Sequence, residues 1–145
     1  MASAAGFGSS KSSEPCPCSS GMSYESCCEP LHREKQRAAT AEQLMRSRYS
    51  AFVFAEVNYL IATHPDSSTP LLQRRKELSK NCREARWLGL KIKAVEAGGV
   101  GDLEGTVRFE ATFGAGCQRN VMSEISLFQR RDGNLKGNWL YIKPL

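Results

Sequence analysis

The spacing of apolar residues changes along this 145-residue chain. Over residues 44–60 they recur at steps of three and four, which is typical of a helix with one buried face. We predict a core helix there, with Thr40 as N-cap and Gln43 completing a capping box. A break is expected near Ala55. A second helix, rich in basic residues, is predicted after Pro70.

From residue 87 onward the apolar period is two, which is typical of half-buried strands. The predicted strands are residues 87–95, 106–113, 120–130 and 138–143. Short glycine-containing turns separate them, so consecutive strands are expected to pair as an antiparallel meander. Helices followed by such a meander predict an α+β fold.

Four of the six cysteines lie within thirteen residues. They are Cys16, Cys18, Cys27 and Cys28. Two close pairs of thiolates can supply all four ligands of a tetrahedral ion, so we predict one structural Zn²⁺ with no position left open for a substrate. Two disulfides are an alternative, although no secretory segment supports it. A redox or iron–sulfur site is another, although the spacing differs from those motifs.

Composition limits the class of protein. With 41% hydrophobic and 24% charged residues, the chain suits one modest globular domain with a small appendage. No apolar run is long enough to cross a membrane. We predict a disordered tail over 1–14, a zinc knuckle over 15–31 and the main domain over 38–145. The cytoplasm is the expected location, and the Ser/Ala-rich N-terminus leaves an organelle as the alternative.

Basic residues are concentrated after the core helix. Between residues 74 and 93 the local net charge is +6, above the +5 of the whole chain. Such a surface can meet an acidic protein or ribonucleoprotein, with RNA itself as an alternative and a merely solvated face as another. No aromatic residues interleave to stack bases. The candidate surface comprises Arg74, Arg75, Lys76, Lys80, Arg83 and Arg86.

Two arginines of the core helix differ in their predicted surroundings. Helical projection places Arg46 inside the apolar stripe, where an unpaired charge is unfavourable. We expect it to form a buried or half-buried ion pair with an acid such as Glu124 or Glu110, or alternatively to bind an anion in a cavity. Arg48 is predicted at the edge of the stripe, with its charged head reaching solvent.

Residues 16–28 resemble the SEC-C zinc motif in cysteine spacing, in Gly21 and in Tyr24. The resemblance implies a small zinc knuckle. The segment departs from the motif at Ser19, where a glycine is usual, and in lacking the usual lysines. Because phosphate binding depends on Lys and Arg, this departure argues against nucleic-acid contact through the knuckle.

A second resemblance covers nearly the whole chain. Residues 44–52, 59–64 and 87–90, with Gly133 and residues 139–141, resemble the YchJ family. Its members join an N-terminal SEC-C knuckle to a cone-shaped domain like nuclear transport factor 2. The resemblance implies helices packed into a curved four-stranded sheet, with a pocket at the open end. Many longer members carry a second knuckle, so a one-knuckle form is expected here.

The cone-shaped fold hosts enzymes, carriers and interaction modules, so it does not define the activity. The candidate pocket residues are Arg46, Tyr49, His64, Trp87, Glu110 and Glu124. An enzyme would use His64 or an acid among them, but no pair spacing enforces catalytic geometry. We therefore assign no catalytic residue and expect a zinc-binding adaptor, with an enzyme or carrier as the alternative. An open cavity with convergent polar groups would favour that alternative.

Overall fold

The computed structural model describes residues 11–65 and 68–145. The helices are α1 (Glu29–His32), α2 (Ala41–Phe54), α3 (Val57–Ala62) and α4 (Leu71–Glu84), after a 3₁₀ turn at Tyr24–Ser26. The strands are β1 (Arg86–Ala97), β2 (Glu104–Ala115), β3 (Gln118–Arg130) and β4 (Trp139–Pro144). Helices followed by strands confirm the predicted α+β class.

The N-terminal segment divides into two parts. Residues 1–10 of the predicted tail lie outside the described residues. Beyond them, Ser12 Oγ donates to the Glu29 carboxylate at 2.9 Å, and the Glu14 carbonyl accepts from Tyr24 N at 2.9 Å. Lys11 Nζ lies 4.3 Å from the centre of the Phe54 ring. Residues 11–14 therefore contact the knuckle and α2.

The sheet is an antiparallel meander in the order β1-β2-β3-β4. The predicted strands are all present, and most are longer than their alternating segments. Register shifts in β1, between Trp87 and Gly89 and between Ile92 and Ala94, mark bulges. Because a bulge bends and twists its strand, β1 curves the sheet around α2.

Helix α2 begins and ends as the sequence predicts. Thr40 Oγ1 accepts a hydrogen bond from Gln43 N at 3.1 Å, which caps the first turn. The helix ends at Ala55, whose φ of 56° is left-handed. The Ala55 N–H still bonds to the Ala51 carbonyl, and α3 then begins at Val57. The expected break therefore lies at the C-cap of α2.

Two faces of α2 are buried, whereas its apolar period predicted one. Met45 and Tyr49 belong to the core that α2 forms with the sheet. On another face Ser47 and Ser50 are also fully buried. Small polar side chains carry no hydrophobic signal, yet they let the knuckle approach the helix closely. The knuckle is therefore part of the core and not an appendage.

A tight turn fixes the start of α2 to the sheet. The Gly98 carbonyl accepts from Ala41 N at 2.9 Å. Gly98 has a φ of +76°, and a Cβ there would lie 2.8 Å from the Ala41 Cβ. Only glycine combines this backbone with this approach. Among the described residues, no helix is both long and apolar enough to cross a membrane.

Candidate metal centre and cone pocket

The loop between the two cysteine pairs turns sharply. Ser19 and Gly21 both have left-handed backbones, with φ of 66° and 89°, and Ser19 N donates to the Cys16 carbonyl at 3.2 Å. The 3₁₀ turn Tyr24–Ser26 then brings the second pair back to the first. The left-handed φ at Ser19 gives a physical reason why glycine suits that position in the SEC-C motif.

The four sulfur atoms converge. The Sγ atoms of Cys16, Cys18, Cys27 and Cys28 all lie within 4.8 Å of one another. Cys18 and Cys27 are 3.6 Å apart, and Cys27 and Cys28 are 3.8 Å apart. A tetrahedral zinc ion with bonds of about 2.3 Å separates its sulfur ligands by roughly 3.8 Å. The set therefore fits a four-thiolate metal centre.

The disulfide alternative does not fit. All six cysteines are free. The Sγ atoms of Cys18 and Cys27 are 3.6 Å apart, far longer than the roughly 2.05 Å of a disulfide bond. The other two cysteines lie outside the cluster: Cys82 is half-buried and Cys117 is exposed.

The electrostatics of the cluster favour a cation. A hydrogen bond with Cys16 lowers the pKa of Cys18, whereas burial raises the pKa of Cys27 to about 11. Four adjacent thiolates therefore require a positive ion to be deprotonated together. Hydroxyl groups lie beside two sulfurs: Ser20 Oγ is 3.2 Å from Cys27 Sγ, and Ser50 Oγ is 3.4 Å from Cys16 Sγ. Such hydroxyls can orient thiolate ligands.

A buried histidine connects the knuckle to α2. His32 Nδ1 lies 2.6 Å from the Tyr24 hydroxyl, and Nε2 lies 2.8 Å from the Ser47 carbonyl. Because a carbonyl only accepts, Nε2 carries the proton and Nδ1 accepts from Tyr24. Burial lowers the pKa of His32, which favours the neutral ring. The sequence analysis did not predict this role of His32. The available signal was its spacing of four residues from Cys28, which places the two side chains on the same face of a helix.

Arg46 forms a half-buried ion pair, as predicted, but the acids named as its partners are wrong. Its Nε donates to Glu42 at 3.0 Å, and its Nη1 donates to the Cys18 carbonyl at 2.7 Å. Its partners are therefore neither Glu124 nor Glu110. The reason is the second buried face of α2, where the knuckle offers a backbone acceptor to a side chain that is 22% exposed.

We expect Arg46→Met to lower the free energy of unfolding by about 1 kcal/mol, because one partly exposed ion pair and one hydrogen bond are lost. Urea unfolding of the metal-loaded protein measures it. Arg108→Met is the matched control, since Arg108 is exposed on β2 and its loss should change little. A loss of several kcal/mol would contradict the partly exposed pair.

A cavity of about 260 Å³ lies between α2 and the concave face of the sheet. Its polar end carries Arg48, Glu124 and Tyr141, and its aromatic walls include Tyr49, Phe52, Trp87 and Phe109. Among the candidate residues, Tyr49, Trp87 and Glu124 line this cavity. Burial raises the pKa of Tyr49 to about 12, so its phenol is neutral.

The other candidates lie elsewhere. Arg46 faces the knuckle, as described above. Glu110 alternates with the buried Phe109 and Ala111 on β2, so its side chain is on the opposite face of the sheet. His64 Nδ1 donates to the Tyr141 carbonyl at 3.0 Å, and its ring packs on the Tyr141 ring. His64 thus supports β4 from outside the cavity lining.

Arg48 was expected to reach solvent, and this prediction is wrong. The residue is only 7% exposed. Its Nη1 donates to the Leu60 carbonyl at 2.9 Å and to Thr63 Oγ1 at 2.6 Å, because α3 folds back over it. Burial lowers the pKa of Arg48 to about 10, so it remains a cation at neutral pH. The available signal was its position three residues after Met45, on the buried face.

The six predicted basic residues do not all line one groove. No residue of α4 is fully buried. Arg74 is half-buried and donates to the His64 carbonyl at 2.6 Å, while Arg86 begins β1. Side chains of the remaining four cations line a shallow groove with Leu72 and Ser79. They are Arg75, Lys76, Lys80 and Arg83.

A cysteine knuckle packed on a cone-shaped α+β domain defines the class: a SEC-C motif protein with a domain like nuclear transport factor 2. Residues 13–30 match the model of the SEC-C motif, and residues 40–144 match that of the YchJ middle NTF2-like domain. The chain belongs to the YchJ family.

Curated relatives agree with this assignment. A UPF0225 protein from Pectobacterium carotovorum is 42% identical over 134 residues, covering 90% of this chain and 82% of the relative. A UPF0225 protein from Geobacter sulfurreducens is 39% identical over 118 residues, covering 81% and 72%. The SEC-C motif and the four-cysteine cluster are together consistent with zinc binding in this family.

Two solved structures share the fold. The crystal structure of a SEC-C motif containing protein from Psychrobacter arcticus has a TM-score of 0.74 at 29% identity, covering 92% of this chain and 83% of its own. The solution structure of a SEC-C motif containing protein from Rhodopseudomonas palustris has a TM-score of 0.72 at 29% identity, covering 90% and 96%. The predicted family and fold are thus confirmed.

Proposed function

We propose that this chain is a zinc-binding interaction protein. One structural Zn²⁺ holds the knuckle on α2, and the groove on α4 binds an acidic protein surface. The convergence of four buried or half-buried sulfurs at tetrahedral spacing carries the metal part of the proposal. Because all four ligands come from the protein, a bound zinc would have no open position for chemistry.

The site has the features of a metal that supports folding. The knuckle has only short segments of regular structure, and its cysteines belong to the same core cluster as Tyr49. Metal binding supplies folding free energy when the unfolded chain lacks a preformed site. Free thiols and bacterial relatives support a reducing, cytoplasmic location.

The groove on α4 supports the partner class. Leu72 is 66% exposed beside Arg75, Lys76, Lys80 and Arg83. An exposed apolar residue among cations suits an acidic amphipathic segment, because apolar burial adds to charge complementarity. Helix α4 has no aromatic residue on which bases would stack, so an acidic protein is favoured over RNA.

The charge of the groove can be tested with fluorescent poly-L-glutamate as the acidic probe. We expect Lys76→Glu/Lys80→Glu to weaken its binding at low salt by roughly tenfold, since attraction becomes repulsion. Anisotropy titration measures the change. Lys35→Glu/Lys136→Glu, an equal change of charge at two exposed residues outside α4, should have a smaller effect.

Two results would contradict the partner proposal. Equal losses in both double variants would show that only net charge matters. If oligouridylate binds more tightly than poly-L-glutamate, and if this binding is lost in the α4 variant, the surface binds RNA and not an acidic protein. The metal centre is tested separately, so failure here leaves the zinc part intact.

A further inference from the structure

The cavity between α2 and the sheet is lined by one cation and one carboxylate that make no direct ion pair. Arg48 and Glu124 both line it, yet the described residues form no ion pair between them. A buried charge without an opposite partner is strongly unfavourable. Because Arg48 is buried and Glu124 is half-buried, the polar end of the cavity can accept one further charge of each sign.

The Nε–H and Nη2–H groups of Arg48 are available to donate hydrogen bonds to a ligand. Both hydrogen bonds of Arg48 use Nη1, which holds the side chain against α3. Within residues 11–65 and 68–145, no hydrogen bond or ion pair engages its Nε or Nη2. A guanidinium edge fixed in this way is preorganised to bind a carboxylate.

The Oε1 atom of Glu124 is available to accept a hydrogen bond from a ligand. Glu124 Oε2 accepts from Ser126 Oγ at 2.5 Å and from the Tyr141 hydroxyl at 3.2 Å. In the described part of the chain, its Oε1 makes no hydrogen bond. A ligand carrying only an anion would meet repulsion from Glu124, and one carrying only a cation would meet repulsion from Arg48. A ligand that carries both a cationic and an anionic group can pair with Glu124 and Arg48 at the same time.

The rest of the cavity is apolar and aromatic. Tyr49 and Phe52 face it from α2, and Trp87 and Phe109 from the sheet. Its volume of about 260 Å³ is slightly below the roughly 300 Å³ at which sites for drug-sized ligands begin. Trp87 Nε1 is buried with no hydrogen-bond partner among the described residues, so the indole also lacks an acceptor.

We infer that this cavity binds a small zwitterion with an aromatic body, the class to which the aromatic α-amino acids belong. Arg48 binds the carboxylate, and Glu124 binds the ammonium group. The aromatic walls cover the ring. This site shares no residue with the metal centre or with the α4 groove.

The test uses the full chain with its native metal and three probes that share a phenyl ring. L-Phenylalanine has both charges, 3-phenylpropionate only the carboxylate, and phenethylamine only the amine. The indole N–H resonance of Trp87 reports binding, and that of Trp139, bonded to the Ala39 carbonyl at 3.1 Å, is the internal reference. L-Phenylalanine should bind at least roughly tenfold more tightly than either other probe, since each lacks a charge-assisted contact.

Two variants test which residue binds the carboxylate of the ligand and which binds its ammonium group. Arg48→Met should weaken L-phenylalanine and 3-phenylpropionate by roughly tenfold or more and leave phenethylamine unweakened. Glu124→Gln, which keeps the shape, should instead remove the preference for L-phenylalanine over 3-phenylpropionate. Arg108→Met, which removes an exposed arginine outside the cavity, should change no affinity. If Arg48→Met does not fold, the Glu124→Gln comparison decides alone.

Three outcomes would overturn the inference. The first is no shift of the Trp87 resonance up to the solubility limit of the probes. The second is equal affinity for all three probes, which would show an apolar cavity with no selection by the polar end. The third is an unchanged order of affinities in Glu124→Gln.

Discussion

Cys18→Ser is expected to lose the bound metal and to unfold the knuckle. Cys18 is fully buried, and its sulfur is 3.6 Å from that of Cys27. Serine cannot supply the thiolate, and three remaining cysteines bind zinc far more weakly. Because metal binding at a structural site supplies folding free energy, we expect the free energy of unfolding to fall by several kcal/mol. Elemental analysis and urea unfolding measure the two effects.

The wild-type chain, purified without added metal, should carry one zinc per chain. Only Cys82 and Cys117 should then react rapidly with a thiol reagent, and a chelator should make the other four reactive. Cys117→Ser is the matched control, because Cys117 is exposed and outside the cluster. Full metal retention in Cys18→Ser would refute the assignment of four ligands.

His32→Ala should give the second large effect, a loss of about 3 kcal/mol in the free energy of unfolding. The substitution opens a cavity between α1 and α2, and it leaves the buried Tyr24 hydroxyl without its acceptor. It also removes the second hydrogen bond of the Ser47 carbonyl, which lies inside α2. Cavity formation and buried unpaired polar groups each contribute at the level of kcal/mol. Urea unfolding of the metal-loaded protein gives the value.

The chain's other histidine supplies the comparison. His64 is only half-buried, so His64→Ala should lower the free energy of unfolding by about 1 kcal/mol. Metal affinity should fall in His32→Ala and stay unchanged in His64→Ala, because His32 anchors the segment that carries Cys28. Equal losses of stability in the two variants would contradict that anchoring role.

The strands, the cysteine site and the start of α2 could be predicted because each depends on a pattern of residues that are close in sequence. The period of two after residue 87 defines each strand, because every second side chain of a half-buried strand faces the core. The cysteine spacing defines the metal centre, since two close pairs on a short loop must converge to share an ion. The capping box at Thr40 similarly defines where α2 begins.

The exchange of roles between Arg46 and Arg48 could not be predicted, and the reason is physical. Helical projection finds a buried face only through apolar residues, whereas the knuckle covers Ser47 and Ser50. Contacts between segments distant in sequence, such as Arg46 with the Cys18 carbonyl, leave no periodic signal. The pocket residue Arg48 was missed for the same reason, because its burial depends on how α3 folds back.

Helix α2 is bonded to the knuckle on one side and faces the cavity on the other. A helix rotates as a rigid rod, so its two sides move together. A rotation of about 20° displaces atoms that lie about 6 Å from the axis by roughly 2 Å. The contacts of Arg46 and Ser50 with the cysteine knuckle therefore help to fix the angle at which α2 presents Arg48 to the cavity. Packing at the knuckle, on the far side of the helix, therefore contributes to the width of the cavity's polar end, together with the contacts of Arg48 to α3.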